Sequence, residues 1–258
     1  LFNGFSFIFS GISEIFIKIP QKLPVESERS GKNIPAFIKE LTGGFNFIWK
    51  NRGLKGLVLL SAFINFFTMP VIVLLPFYIE DFLLLKEDWY GYILALYGAG
   101  TLVGYFSASL LKISGKSRSF LIITLMILES AGYASLSFIH DPLFSLALAL
   151  IIGAMNGYVM VNILTIVQTF TPSVIRGRVF GFLTTLTGAL APLGMGLSGI
   201  VFDLLGHNLM VIYTACGVIM IAGVLITARG KDFREILQID ADKILPEPDS
   251  ELSSVAGK

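Results

Sequence analysis

Seven apolar stretches, each bounded by polar breaks, divide this chain: Leu1 to Ile19, Leu54 to Ile79, Trp89 to Ile113, Phe120 to Ile139, Pro142 to Phe170, Val179 to Leu205 and Leu209 to Ala228. A helix crosses a bilayer with about 20 apolar residues, so the pattern predicts seven membrane spans. Pro70 and Pro76 in the second stretch and Pro192 in the sixth lie inside continuous apolar runs, which predicts kinks rather than ends. The fifth and sixth stretches meet at a polar hinge, Pro172 to Gly177, with Arg176 and Arg178 where the apolar character stops. A proline without an amide hydrogen, beside arginines that hydrocarbon excludes, predicts that one helix ends there and another begins. Gly181, Gly188, Pro192, Gly194, Gly196 and Gly199 follow the hinge. A soluble helix interior tolerates few such residues, whereas a membrane helix uses them for close contact and bending.

The connection between the first two stretches has two parts. Gln21 to Asn33 is polar, whereas Phe37, Ile38, Leu41, Phe45, Ile48 and Trp49 recur at helical spacing. That predicts an amphipathic helix lying at the membrane surface. The end of the chain, with Pro246, Pro248, Asp249, Ser250 and Glu251, has the composition of a disordered tail.

Composition supports the membrane reading. The chain is 54% hydrophobic and 14% charged, with a mean hydropathy of +0.78, against about a quarter charged residues in ordinary soluble domains. The net charge of +1 conceals an asymmetry. Of the 19 Lys and Arg, all but Lys86 fall in the first, third and fifth connections or in the tail. The other connections carry Glu80, Asp81, Glu87, Asp88 and Asp141. Because basic residues are retained on the cytoplasmic side, one topology satisfies every basic residue but one, with the C-terminus cytoplasmic.

Candidate chemistry is sparse. The lone Cys216 excludes an intrachain disulfide and any thiolate metal cluster. The two histidines, His140 and His207, lie far apart, and no phosphate-cradling loop, H-E-x-x-H or G-x-S-x-G occurs. No cofactor, metal or nucleic acid is expected. Polar residues at span depth do line up: Ser61, Asn65 and Thr68; Tyr97, Thr101 and Tyr105; and Tyr158, Asn162, Thr165 and Thr169. Each set occupies one helical face. Such faces either hydrogen-bond between helices or line a water-accessible cavity. Gly100/Gly104, Gly153/Gly157 and Gly177/Gly181 form G-x-x-x-G pairs that predict close helix packing. Glu14 is four residues before Lys18, the spacing of a local ion pair, and Asp203 is near enough to a span end to reach the interface. Glu129 differs, since apolar helix flanks it on both sides. A carboxyl there is costly unless protonated or paired, which marks it for function. Its alternative is a structural strip with Tyr133 and Ser137 on the same face.

The segments LTGGFNFIWKNRGLKGL (41–57), LLPFYIEDFL (74–83), WYGYILALYGAGTLVG (89–104), LLKISGKSR (110–118) and TPSVIRGRVFGF (171–182) resemble the C-terminal half of a major facilitator superfamily permease. Within that superfamily they are similar to the bacterial macrolide-efflux and enterobactin-export group. The resemblance implies an all-α membrane protein built as a six-helix half of that fold, two inverted three-helix repeats, preceded by the end of a further transmembrane helix. Residues 1–19 would then be the last helix of a missing N-terminal half, 20–53 a cytoplasmic linker, 54–228 the six-helix domain and 229–258 a cytoplasmic tail. The superfamily's loop signature falls on Ala108, Lys112, Gly115, Lys116 and Arg118, with Lys112 where the family has an acid. Gly199, Asp203 and Gly206 echo it at the other membrane side, as packing residues.

The implied function is a secondary active exporter, proton-coupled and carrying a small amphiphilic solute by alternating access, in a bacterial cytoplasmic membrane and monomeric when full length. Cavity candidates are Ser61, Asn65, Thr68, Tyr97, Thr101, Asn156, Tyr158, Asn162, Thr165 and Thr184. Gate candidates are Lys116, Arg118, Arg176 and Arg178, and Glu129 is the proton-coupling candidate, although the resemblance makes its helix peripheral. The rival readings are a polytopic membrane enzyme, which would need a catalytic cluster at depth, and a non-transporting membrane scaffold.

Overall fold

The structure, a computed structural model, describes residues 34–111 and 113–239. The first apolar stretch with Glu14 and Lys18, the polar linker to Asn33, Lys112 and the end of the tail lie outside the described residues. The chain forms two compact units, 1–38 and 39–258. Of the first, only the opening turn of helix α1 (Ile34–Lys50) is described.

The larger unit continues with α2 (Arg52–Val73), the single turn α3 (Leu75–Phe77), a π-helical turn (Tyr78–Phe82), α4 (Asp88–Leu110) and α5 (Gly115–Ser135). A 3₁₀ turn (Leu136–Phe138) extends α5, and α6 (Pro142–Phe170), α7 (Ser173–Leu204), α8 (Leu209–Ala228) and the short α9 (Lys231–Ile236) complete it. Among the described residues, α2, α4, α5, α6, α7 and α8 are six helices long and apolar enough to cross a membrane.

Local chemistry sets the boundaries. α6 starts at Pro142 because the Asp141 carboxylate accepts from the amides of Leu143 and Phe144 at 2.9 and 3.0 Å, filling donors that a helix start leaves open. Asn208 caps α8 in the same way through Val211. α7 ends where Gly206 and His207 take positive φ, +60° and 65°. Pro192 sits inside α7 without ending it. At Pro76 the helical path breaks at Leu74 and resumes as one turn, because proline offers no amide to the carbonyl of Ile72.

Two boundaries depart from the sequence pattern. The hinge is shorter than Pro172 to Gly177: helix α7 begins at Ser173, so Arg176 and Arg178 belong to its first turns. Likewise α5 begins at Gly115 rather than Phe120, which places Arg118 and Ser119 inside a helix and buried. Charged residues start a helix early when other elements receive their charge, and Arg118 has such partners.

α4 packs chiefly on α6, α6 also on α5, α5 on α8, α8 on α2 and α2 on α7. The six spans therefore form an arc whose ends, α4 and α7, are the least buried. One core cluster fills the end that carries α1 and α9, with Leu54, Ile122, Ile166, Val179, Val224 and Leu237. A second fills the opposite end around Tyr78, Ile152, Phe202 and Tyr213. Two of the buried phenols there are satisfied: the Tyr78 hydroxyl donates to the Ile139 carbonyl at 2.9 Å and lies 2.8 Å from the Ser145 oxygen, and Tyr213 donates to the Val71 carbonyl at 3.0 Å.

The glycine pairs behave differently from one another. Gly100 and Gly104 lie against the carbonyls of Leu150 and Ala154, and Gly153 and Gly157 against those of Tyr97 and Thr101, so α4 and α6 touch backbone to backbone. Gly177 and Gly181 meet nothing within 4 Å, and neither do Gly199 and Gly206. The expectation that these four are packing residues is corrected among the described residues, since glycine spacing permits a close approach and only a neighbouring helix makes one.

Candidate functional site

The cavity candidates fall into two groups according to what satisfies them. Ser61, Thr68, Thr101, Thr165 and Thr184 each donate to the carbonyl one turn back, of Leu57, Ile64, Tyr97, Val161 and Phe180, at 2.8–2.9 Å. Such back-bonds satisfy a hydroxyl in hydrocarbon without recruiting another helix. Thr68 adds a 3.7 Å contact to the Met220 sulfur on α8. Asn65, half-buried on α2, has no hydrogen-bond partner among the described residues. It is the one amide of the set left for a solute or water.

The second group builds the seam between α5 and α6. Glu129, 5% exposed on α5, accepts a 2.8 Å hydrogen bond from Asn156 Nδ2 on α6. One turn along α5, the buried Tyr133 hydroxyl has no hydrogen-bond partner among the described residues, with Glu129 and Tyr97 as its electrostatic neighbours. Tyr97 and Tyr133 also line an apolar cavity of about 80 Å³ bounded by α2, α3, α4, α5 and α6. Toward the other end of the seam, Arg118 Nε donates to Asn162 Oδ1 at 3.0 Å, and Asn162 Nδ2 donates to the Tyr158 carbonyl at 2.9 Å. Asn156 Nδ2 and Asn162 Oδ1 are therefore engaged by α5, and Tyr158 is buried beside them.

The four gate candidates hold different elements. Arg118 is only 6% exposed, and its Nη1 donates to the Ile239 carbonyl at 2.8 Å, tying the chain after α9 to α5 and α6. Nothing local in the sequence signals this, because the partners lie 44 and 121 residues away. Lys116 is exposed. Arg176 is exposed too, and its Nη2 reaches the Thr171 carbonyl just beyond α6 at 3.4 Å, so it caps the end of that helix. Arg178 passes Gly43 and Gly44 of α1, which pack against its side chain and backbone.

The sequence profile of the Major Facilitator Superfamily matches residues 1–195 of the 258. The chain belongs to that superfamily. Its similarity extends to proteins named "Multidrug efflux pump Tap": 26% identity over 170 residues with those of Mycobacterium tuberculosis and Mycobacterium bovis, covering 66% of this chain and 40% of the relative. The Tap of Mycolicibacterium fortuitum is also 26% identical, over 172 residues, or 41% of its length. The chain thus spans well under half the length of the curated relatives it matches. Six apolar spans and membership of this superfamily make it a multi-pass membrane protein, and its fold agrees with half of a major facilitator bundle.

Proposed function

We propose that this chain is the C-terminal half of a secondary active efflux permease that moves small amphiphilic solutes across a bacterial cytoplasmic membrane. The observation that carries the reading is the arc of six described spans with α4 and α7 as its least buried ends among the described residues, in a superfamily member that covers 40% of relatives named as multidrug efflux pumps. A second six-helix half facing that open side would complete a pathway at the bilayer midplane, opened to each side in turn by rocking. Asn65, Thr101 and Thr184, on α2, α4 and α7, are its candidate contacts. The excess of Lys and Arg at alternate connections supports a cytoplasmic C-terminus.

Proton coupling belongs to the same proposal. Glu129 is the one carboxyl buried at span depth among the described residues, and Asn156, Tyr133 and Tyr97 surround it. The deciding experiment uses the full-length protein in proteoliposomes with an imposed pH gradient and ethidium as the amphiphilic probe. Wild type should extrude the dye when the gradient is applied, and Glu129→Gln should bind dye while losing gradient-driven efflux. Efflux intact in Glu129→Gln removes Glu129 from the mechanism. Dye movement by the 258-residue chain alone would sink the half-permease reading, because half of the pathway wall would be unnecessary.

A further inference from the structure

α9 does not continue the last span. It turns back after Gly230 and buries Phe233, Ile236 and Leu237, while Asp232 lies against Gly53 at the start of α2. Arg118 holds the carbonyl of Ile239 immediately beyond. This docking leaves a groove of about 660 Å³ between α9 and the first turns of α5, within the range of roughly 300–1,000 Å³ typical of ligand clefts.

The lining of the groove is divided by polarity. Lys116 from α5 and Lys231 and Arg234 from α9 are exposed along it, against one acid, Glu235, among the described residues. Arg234 is steadied by a 3.4 Å hydrogen bond from Nη2 to the Arg229 carbonyl. Ser119, from the same turn of α5, also lines the groove. The amides at the start of α5 add to the field, since Ser114 gives no side-chain cap and no acid occupies the first turn. On the span side, Phe120 is 73% exposed and Ile123 lies one turn further into α5.

We propose that this groove binds an anionic phospholipid, its phosphate held by Lys116, Lys231, Arg234 and the Ser119 hydroxyl, and its acyl chain laid on Phe120 and Ile123. A free phosphate would use the cations alone. The apolar side favours the lipid, because the groove opens at the end of a membrane span where headgroups lie and basic pockets at such ends collect them. The walls are held apart by α9's buried face and by Arg118, so little ordering cost remains for the ligand. This inference needs only the membrane reading and stands apart from transport.

The test is a titration of the purified chain in maltoside micelles with short-chain phosphatidylglycerol, short-chain phosphatidylcholine and inorganic phosphate, counted as bound species by native mass spectrometry. Phosphatidylglycerol should bind more tightly than phosphatidylcholine, and Lys231→Ala, Arg234→Ala and Lys116→Gln should each weaken it roughly fivefold. Lys50→Ala, a cation outside this groove, should change it less than about twofold. All four positions are solvent-exposed, and a retained helical circular-dichroism spectrum confirms that each variant is folded. Equal binding of the two lipids, equal losses in Lys50→Ala, or inorganic phosphate displacing phosphatidylglycerol at equal concentration would each overturn the proposal.

Discussion

α6 meets its two neighbours by different physics. Toward α4, Gly153 and Gly157 lie against backbone carbonyls while Gly100 and Gly104 return the contact, so the helices approach until main chains touch. Toward α5, Asn156 and Asn162 reach across to Glu129 and Arg118, and side chains carry the contact. In hydrocarbon no hydrophobic force draws helices together, so association rests on dispersion at short range or on polar groups that have no better partner. The glycine face is strict about volume and indifferent to charge, and the asparagine face is the reverse. A helix that carries both can be held on two sides without its seams competing for the same residues.

Substitutions separate the two seams. The largest effect is expected at Gly153→Val, whose added carbons would meet the Tyr97 carbonyl. Backbone cannot yield as a side chain does, so the loss should exceed about 3 kcal/mol, seen as failure to recover a monodisperse species by gel filtration. A folded Gly153→Val protein would show that α4 and α6 can separate.

Next comes Asn162→Leu, which leaves a buried guanidinium without its carboxamide acceptor. About 3 kcal/mol is expected, measured as a lowered midpoint in detergent-mediated unfolding. A loss as small as an ordinary interhelical hydrogen bond, about 0.6 kcal/mol, would mean that the backbone carbonyls of Ile239 and Asn162 already suffice for Arg118.

Glu129→Gln should cost less than about 1 kcal/mol in the same assay, because glutamine keeps an oxygen to accept from Asn156. This separates stability from the transport defect proposed for the same variant. A large loss of stability would make Glu129 a fastener of the seam first.

The smallest change is expected at Gly181→Ala, with nothing among the described residues within 4 Å of the added methyl. It should be neutral or stabilising by up to about 1 kcal/mol through helix propensity. In the full-length protein the same substitution should impair efflux if a second half packs there, and leave it unchanged if α7 faces only lipid.

Much of the fold is legible in order along the chain. The expected spans Pro142 to Phe170 and Leu209 to Ala228 coincide with α6 and α8, because each has a strong start, Asp141 with Pro142 and Asn208. The start of α5 was not legible, since Arg118 reads as a loop cation until Asn162 and Ile239 are brought to it. The polar stripes were legible as stripes, but their uses were not. Asn162 and Thr165 share a helical face, yet one serves α5 and the other its own backbone.

By itself the sequence determined that this is a helical membrane protein, how many apolar segments it has and which connections carry positive charge. Those properties are local, because transfer into hydrocarbon is decided segment by segment by apolar length and charge. Only the tertiary structure decided which G-x-x-x-G pairs are used, that Arg118 is buried, that Glu129 meets Asn156 and that α9 folds back to form a basic groove. Those depend on which surfaces the arc brings together. A glycine, a carboxamide or a lysine has the same local preference whether or not a neighbour arrives, and the neighbour supplies the energy.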